Sequence, residues 1–331
     1  MSTVQEVKDL IAAGKSHREI AAELGLSLST ISKYRNRDVV PENYTPDSSE
    51  ICLSGEELFA RWSNESRVIA KRKEEHPHDL VCVRVEKVPA LLLVHGSDWH
   101  IGARGTDHDR LWRDLAGIAQ AGGKLVLGGD LIDNPVKHKS HIVHSSSTPG
   151  EQVRALRYLL GAAQSAGVGI LAGVSGNHEN WTDHETGQDI CGPIFRDLGI
   201  PYSPHQIRLV IHNGSSETRV LLRHKYRFKS QFDLGLQFRR MWEVGEWDFD
   251  IGMLGHTHDG PFVQEFTKHG VSRWASLAGS YKTVDGYGEE AGYNPAKTGM
   301  TAFVIEPSGL IQGFASLRAA TVYMKGVKND S

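Results

Sequence analysis

The chain has 331 residues, 39% apolar and 23% charged, with a formal net charge of −3, enough for one large domain with a proper core plus a small module. A net charge so near zero gives no overall basic field, so any contact with nucleic acid has to come from local patches. Cys52, Cys82 and Cys191 are scattered and lack CxxC spacing, the first residues hold no basic-then-apolar leader, and eighteen apolar residues never run together; no disulfide framework and no membrane span are expected, and a soluble, cytoplasmic protein is.

Residues 4–13 read as a helix, Ser16 can cap a second helix through residue 24, and Ser27 can cap a third through residue 37. Gly25-Leu26-Ser27 joins the last two, with apolar positions at Ile20, Ala21, Leu24, Leu26 and Ile31. This small all-α pattern, residues 1–40, resembles the helix-turn-helix DNA-binding unit of resolvases, sigma factors and response regulators. The resemblance implies a third helix in the major groove, with Ser29, Thr30 and Lys33 at base edges and Tyr34, Arg35 and Arg37 at phosphates. A three-helix scaffold for protein contacts is the other reading. Residues 41–79 form a proline-punctuated polar linker and then a charged helix whose Leu58, Trp62 and Ile69 form a docking stripe.

A strand over 80–88 opens the third region, 80–331. Five short polar runs recur along it: Asp98-Trp99-His100, Gly129-Asp130-Leu131-Ile132-Asp133, Gly176-Asn177-His178-Glu179, Arg223-His224, and Gly255-His256-Thr257-His258. Four follow apolar β-like stretches, at 91–94, 125–127, 170–174 and 251–254, and His224 follows the apolar residues 220–222. Helical stretches at 109–121, 151–166, 188–198 and 231–244 alternate with these strands, which predicts a layered α/β fold whose strand ends share one crevice. Asn213-Gly214 marks a hairpin between 207–211 and 218–222, and later strands run through Phe262, Trp274 and Phe303. The glycine-rich stretch 161–173 lacks the lysine of a P-loop and reads as a helix end and strand start.

Carboxylate, carboxamide and imidazole donors without thiolates suit hard or borderline divalent ions. One such run arises by chance; five in this order resemble the calcineurin-like metallophosphoesterase superfamily. The resemblance implies a four-layer α-β-β-α sandwich and two divalent ions, manganese first, with zinc, iron, nickel or magnesium as alternatives. It implies Asp98, His100 and His258 on one ion, Asn177, His224 and His256 on the other, and Asp130 bridging. His205 and His212 compete with His224 for its role. His178 would stay off the metals and act as a general acid or stabilise charge at the phosphoryl group. Asp133 and Glu179 would orient ligands by hydrogen bonds.

The superfamily's protein phosphatases place Arg-Gly after the second run, whereas Asn134-Pro135 stand here, and Ser97-Asp98-Trp99-His100-Ile101-Gly102 is closer in form to its DNA repair nucleases. Lys137 and Lys139 after the second run, and Lys225 and Arg227 after the fourth, are candidate substrate contacts, and Trp99 and Trp181 candidate stacking surfaces. His138, His141 and His144 are too loosely placed to name as ligands. A DNA phosphodiesterase or nuclease is therefore expected, of the kind a phage or mobile element carries in a bacterial cell. The alternatives are a cyclic or small-nucleotide phosphodiesterase, a phosphomonoesterase, or a non-catalytic DNA-binding regulator. DNA is the expected partner; the oligomeric state is open, a dimer included.

Overall fold

A computed structural model describes residues 3–28, 30–31, 54–75, 80–85, 88–136, 145–227, 229–230, 232–245, 247–268, 270–283 and 298–329. It divides into two compact units, Met1–Arg72 and Lys73–Ser331. In the first, α1 (Thr3–Ala12) and α2 (His17–Leu24) pack through the fully buried Val7 and Ile20, joined by Ile31 from beyond α2. Ser16 and Glu19 form a reciprocal capping box at the start of α2, and Gly25 ends it in the left-handed conformation (φ 63°). Ser27 accepts from the Thr30 amide at 3.1 Å, as an N-cap does. A long helix, α3, spans Gly55–Glu75. Ser29, Lys33, Tyr34, Arg35 and Arg37, most of the linker, and Lys137, Lys139, His138, His141 and His144 lie outside the described residues.

The second unit holds two six-stranded sheets. In chain order its strands are β1 (Leu80–Val85), β2 (Leu91–Gly96), β3 (Lys124–Leu127), β4 (Gly169–Val174), β5 (Tyr202–Ser203), β6 (Gln206–Asn213), β7 (Ser216–Arg223), β8 (Ile251–Leu254), β9 (Phe262–Lys268), β10 (Val271–Leu277), β11 (Thr301–Ile305) and β12 (Ile311–Phe314). One sheet runs β1-β6-β7-β8-β10-β9 and the other β12-β11-β2-β3-β4-β5. The helices are α4 (His108–Ala121), α5 (Pro149–Ser165), α6 (Asn177–Thr186), α7 (Gly192–Asp197), α8 (Leu236–Val244) and α9 (Leu317–Asn329).

Side-chain alternation along the strands sorts the core into layers. Leu92 and Val94 of β2 pack against α4, α5 and α9 through Leu115, Leu156 and Ala320, while Leu91 and Leu93 face the other sheet through Leu209, Val220 and Met253. Leu221 and Leu277 join Phe238 and Met241 of α8 on the far side of that sheet. Three apolar interfaces thus separate four layers, α-β-β-α. β2, β3 and β4 are parallel neighbours, as are β7, β8 and β10, so their carboxyl ends deliver loops to the same edge of their sheet. Among the described residues no helix is long and apolar enough to cross a membrane.

Three expected elements are shorter than the sequence pattern suggests. The helix expected over 188–198 is confined to Gly192–Asp197, because the Asp189 carboxylate accepts from the Cys191 and Gly192 amides and folds a turn ahead of it. The helix expected from 231 starts at Leu236, since Ser230 and Asp233 side chains capture the amides of residues 232, 233 and 235. The strand expected over 80–88 ends at Val85. Conversely, α6 forms where no helix is expected: it has almost no apolar stripe, but Glu179 caps it by accepting from Gly176 N at 2.8 Å.

Candidate metal centre

The five polar runs meet at the strand ends. β2 delivers Asp98 and His100, β3 delivers Asp130 and Asp133, β4 runs into α6 with Asn177, His178 and Glu179, β7 delivers His224, and β8 delivers His256 and His258. Three of the His and Asp groups these runs form have donor atoms close enough to hold a metal ion, and two of them are Asp98 with His100 and His258, and Asp130 with His224 and His256. A third, His100 with Asp133 and His178, links to the first through His100.

Local backbone strain marks the same place. Among the described residues the non-glycine positions with positive φ are Asp98 (54°), His100 (46°), Asp130 (50°), Asn134 (38°), His256 (73°) and His258 (57°). Such angles are uncommon outside glycine, and here all six sit on the loops of this cluster, turned so that carboxylates and imidazoles face inward. The loops approach so closely that Gly176 has no room for a side chain: a Cβ there would stand 2.0 Å from Asp130 Oδ1.

The spacing of donor atoms fits cations. Ligands held about 2.0–2.2 Å from one ion lie roughly 3–3.5 Å from each other at ordinary coordination angles. His100 Nε2 and His258 Nε2 are 3.0 Å apart, and His258 Nε2 is 3.2 Å from Asp98 Oδ1. His224 Nε2 is 3.0 Å from Asn177 Oδ1 and 3.1 Å from Asp130 Oδ2. At His224 the partner of the other ring nitrogen is telling: Nδ1 is 2.8 Å from Gly128 O and must donate to it, which leaves the Nε2 lone pair aimed at two oxygen acceptors. A cation between them, proton or metal, removes that conflict.

The charges respond accordingly. Burial would raise Asp98, but the hydrogen bond from His258 and the charge of His224 hold it at about 2. Burial likewise opposes the charge on Asp130, yet His224 and His178 keep it well below the usual carboxylate range. Desolvation is the largest single influence on His224 and lowers it, but the charge and hydrogen bond of Asp130, with the Asp98 charge and the Gly128 carbonyl, together push it up to about 9. Burial drives His100 and His256 down to about 4, so both keep neutral rings with a lone pair to give.

Around these donors stands a rigid support. The buried Glu179 carboxylate accepts from the amides of Asp130 (3.0 Å), Leu131 (2.6 Å), Ile132 (3.2 Å) and Gly176 (2.8 Å), tying two loops together. Asp130 Oδ1 in turn accepts from the His178 amide at 2.9 Å in the first turn of α6. His178 donates Nδ1–H to the Asp133 carbonyl, which fixes its tautomer, and its ring lies 4.0 Å from that of the half-buried Trp181. Trp99 is fully buried, so its role is wall packing and not stacking on a ligand. Asn134, where the protein phosphatases carry arginine, is fully buried and donates to His178 O (2.6 Å) and Thr182 Oγ1 (2.9 Å).

Of the other expected contacts, Lys225 and Arg227 are exposed just beyond His224, and Lys225 is near enough to His256 to depress its basicity. The Arg223 and Arg227 guanidinium groups lie 5.4 and 6.0 Å from the Tyr226 ring centre. Thr30 is half-buried with its hydroxyl 2.7 Å from that of Ser27. His205 and His212 belong to none of the three clusters found among the described residues. One participant has no forerunner in the sequence reading, Lys282, whose ammonium lies 3.2 Å from Asp133 Oδ1. Lys282 follows the end of β10, so a polar side chain after an apolar strand was the available signal.

No protein-family model matches the chain, and no curated protein matches it. Among solved structures it is similar to the calcineurin-like phosphoesterase YfkN from Bacillus subtilis, at 13% identity and a TM-score of 0.35 over 73% of this chain and 97% of that one. It is also similar to GAP50, the anchor in the inner membrane complex of Plasmodium, at 10% identity and a TM-score of 0.40 over 69% of this chain and 85% of the other. With TM-scores below 0.5, neither likeness carries an argument about this chain.

Proposed function

We propose that the chain is a binuclear, metal-dependent phosphoester hydrolase of the calcineurin-like kind, acting on DNA. The observation that supports it most is the meeting of two His/Asp clusters, contributed by the five ordered runs, with donor atoms 3.0–3.2 Å apart. Asp98, His100 and His258 would hold one ion, Asn177, His224 and His256 the other, and Asp130 would serve both. Manganese is the first choice, because the donors are imidazole nitrogen and carboxyl or amide oxygen with no thiolate. Bound divalent ions supply an acidified water and neutralise phosphoryl oxygens during in-line displacement.

The protein's own residues do the rest. Glu179 and the glycine-lined loops keep the donors from relaxing, which holds the reacting groups in one geometry. His178, its tautomer set by Nδ1–H donation to the Asp133 carbonyl, would act through Nε2 on the phosphoryl oxygen or the leaving group. Exposed Lys225 and Arg227 beside His224 suit a polyanionic strand, and the buried Asn134 argues against a protein phosphatase, whose arginine would grip phosphate from that place. The capped helices of the first unit suit a helix-turn-helix that brings DNA to the enzyme.

Digestion of labelled single- and double-stranded DNA with manganese tests the proposal, comparing the full chain with Asp130→Asn. Manganese-dependent cleavage that vanishes in the variant supports it. Hydrolysis of a chromogenic monoester or a cyclic nucleotide without DNA cleavage moves the substrate to a small molecule, and unchanged activity of Asp130→Asn on every substrate overturns the hydrolase.

A further inference from the structure

Lys282 is a buried cation set against the centre. Its side chain is 5% exposed and that of its partner Asp133 1%, with 3.2 Å between the ammonium and Oδ1. The same Oδ1 lies 3.6 Å from His100 Nδ1 and 3.9 Å from His178 Nδ1. One carboxylate therefore faces a lysine, a ring of the first metal cluster, and the ring placed to meet the phosphoryl group.

The lysine is held there by its backbone. Tyr281 N donates to Asp98 O at 3.0 Å, Ser280 Oγ donates to the same carbonyl at 3.1 Å, and Lys282 N donates to Ser280 Oγ at 3.1 Å. Tyr281 OH donates to the Asp114 carboxylate at 2.6 Å, and Lys282 itself pairs with Thr106 across an isolated β-bridge. The segment that carries Lys282 is thus hung on the turn that presents Asp98 and His100.

A buried ion pair is weak as a source of stability, since removing two charges from water costs about what their attraction returns. Its use has to be sought in what it positions. Without the ammonium beside it, the Asp133 carboxylate would lose the ion pair that keeps it facing His100 and His178. Resting on the phosphoesterase reading, we infer that Lys282 is a positioning residue: it anchors Asp133, whose carboxylate faces His100 and whose carbonyl accepts from His178 Nδ1, and so keeps both rings in place for the reaction.

The test uses the full chain with manganese alone as the metal and bis(p-nitrophenyl) phosphate as the diester, comparing wild type, Lys282→Met and Lys282→Arg. Manganese affinity of the metal-free proteins is read by titration calorimetry, and kcat and KM separately from hydrolysis. The expected result is a kcat lowered tenfold or more in Lys282→Met with KM within twofold, weaker manganese binding at one of two sites, and partial recovery of both in Lys282→Arg. Equal kcat and equal manganese affinity in Lys282→Met overturn the inference. So does a loss in Lys282→Met that Lys282→Arg, folded by circular dichroism, fails to recover even in part. If Lys282→Met does not fold, Lys282→Arg decides alone: an unaltered kcat and affinity support a role carried by charge and place, and loss of both at full thermal stability overturns it. A wild type that binds no manganese and hydrolyses no diester instead sinks the phosphoesterase reading itself, a result distinct from any of these.

Discussion

The first unit and the crevice of the second are built on opposite principles. In α1 and α2 each residue sits where its local preference puts it: a capping box at Ser16 and Glu19, glycine at the left-handed C-cap, and Val7, Ile20 and Ile31 on the buried side. In the crevice, side chains stand against preference, with Asp98, His100, Asp130, His256 and His258 in left-handed backbone and the buried carboxylates of Asp98, Asp130 and Asp133 all held below the usual carboxylate range. Ordinary helix grammar states a fold and says little about use, whereas strain and buried charge gathered at one place require a ligand to make sense of them.

The sharpest test of that contrast is a pair of substitutions on two histidines of the crevice. His178→Ala should lower kcat by roughly 10²–10⁴, the usual share of a positioned acid or base, and still carry two metal ions, while His256→Ala should lose one. Elemental analysis of both purified proteins decides it, and equal metal loss removes the distinction between the two histidines.

Gly176→Ala comes next. Its methyl would collide with Asp130 Oδ1 and with Asp130 N, which is backbone and cannot swing away, so both metal content and thermal stability should fall, the latter by more than about 1–3 kcal/mol. A variant with wild-type melting and metal content would show the two loops to be less closely joined than described.

Smaller again is Glu179→Gln. The amide can offer one oxygen where the carboxylate offers two, leaving buried N–H groups of the Asp130 loop unanswered. About 1–3 kcal/mol of stability should go, with a 10–100-fold loss of manganese affinity; denaturant unfolding and calorimetry measure the two. Last, Ser16→Ala removes a helix cap from the first unit and should cost about 1 kcal/mol there without any change in diester hydrolysis. A fall in hydrolysis would mean that the regions are coupled.

What could be read from the chain alone follows the same divide. The strand ends were legible because Asp, Asn and His directly after apolar runs have no role in a core, and α2 was legible because Ser16, Glu19 and Gly25 are local signals. Helix α6 was not, since Asn177-His178-Glu179-Asn180-Trp181 has no apolar stripe and is held by the site it serves. Lys282 was not, because its partner lies 149 residues away and only the folded sheets bring them together. The helix expected over 188–198 failed at its start for a local reason, the Asp189 carboxylate taking amides that helix would have used.

The Glu179 carboxylate gathers four amides from two loops that are distant in sequence. Glu179 belongs to the same turn as Gly176, so that turn cannot move away without stripping the acceptor from the Asp130 loop, and the amides of Asp130, Leu131 and Ile132 should exchange with deuterium as one cooperative group, at the free energy of a single opening event. The loop that carries Asp130 would then be in place or released as a whole, with no half-formed state in which one of its amides stays bonded while the next frays.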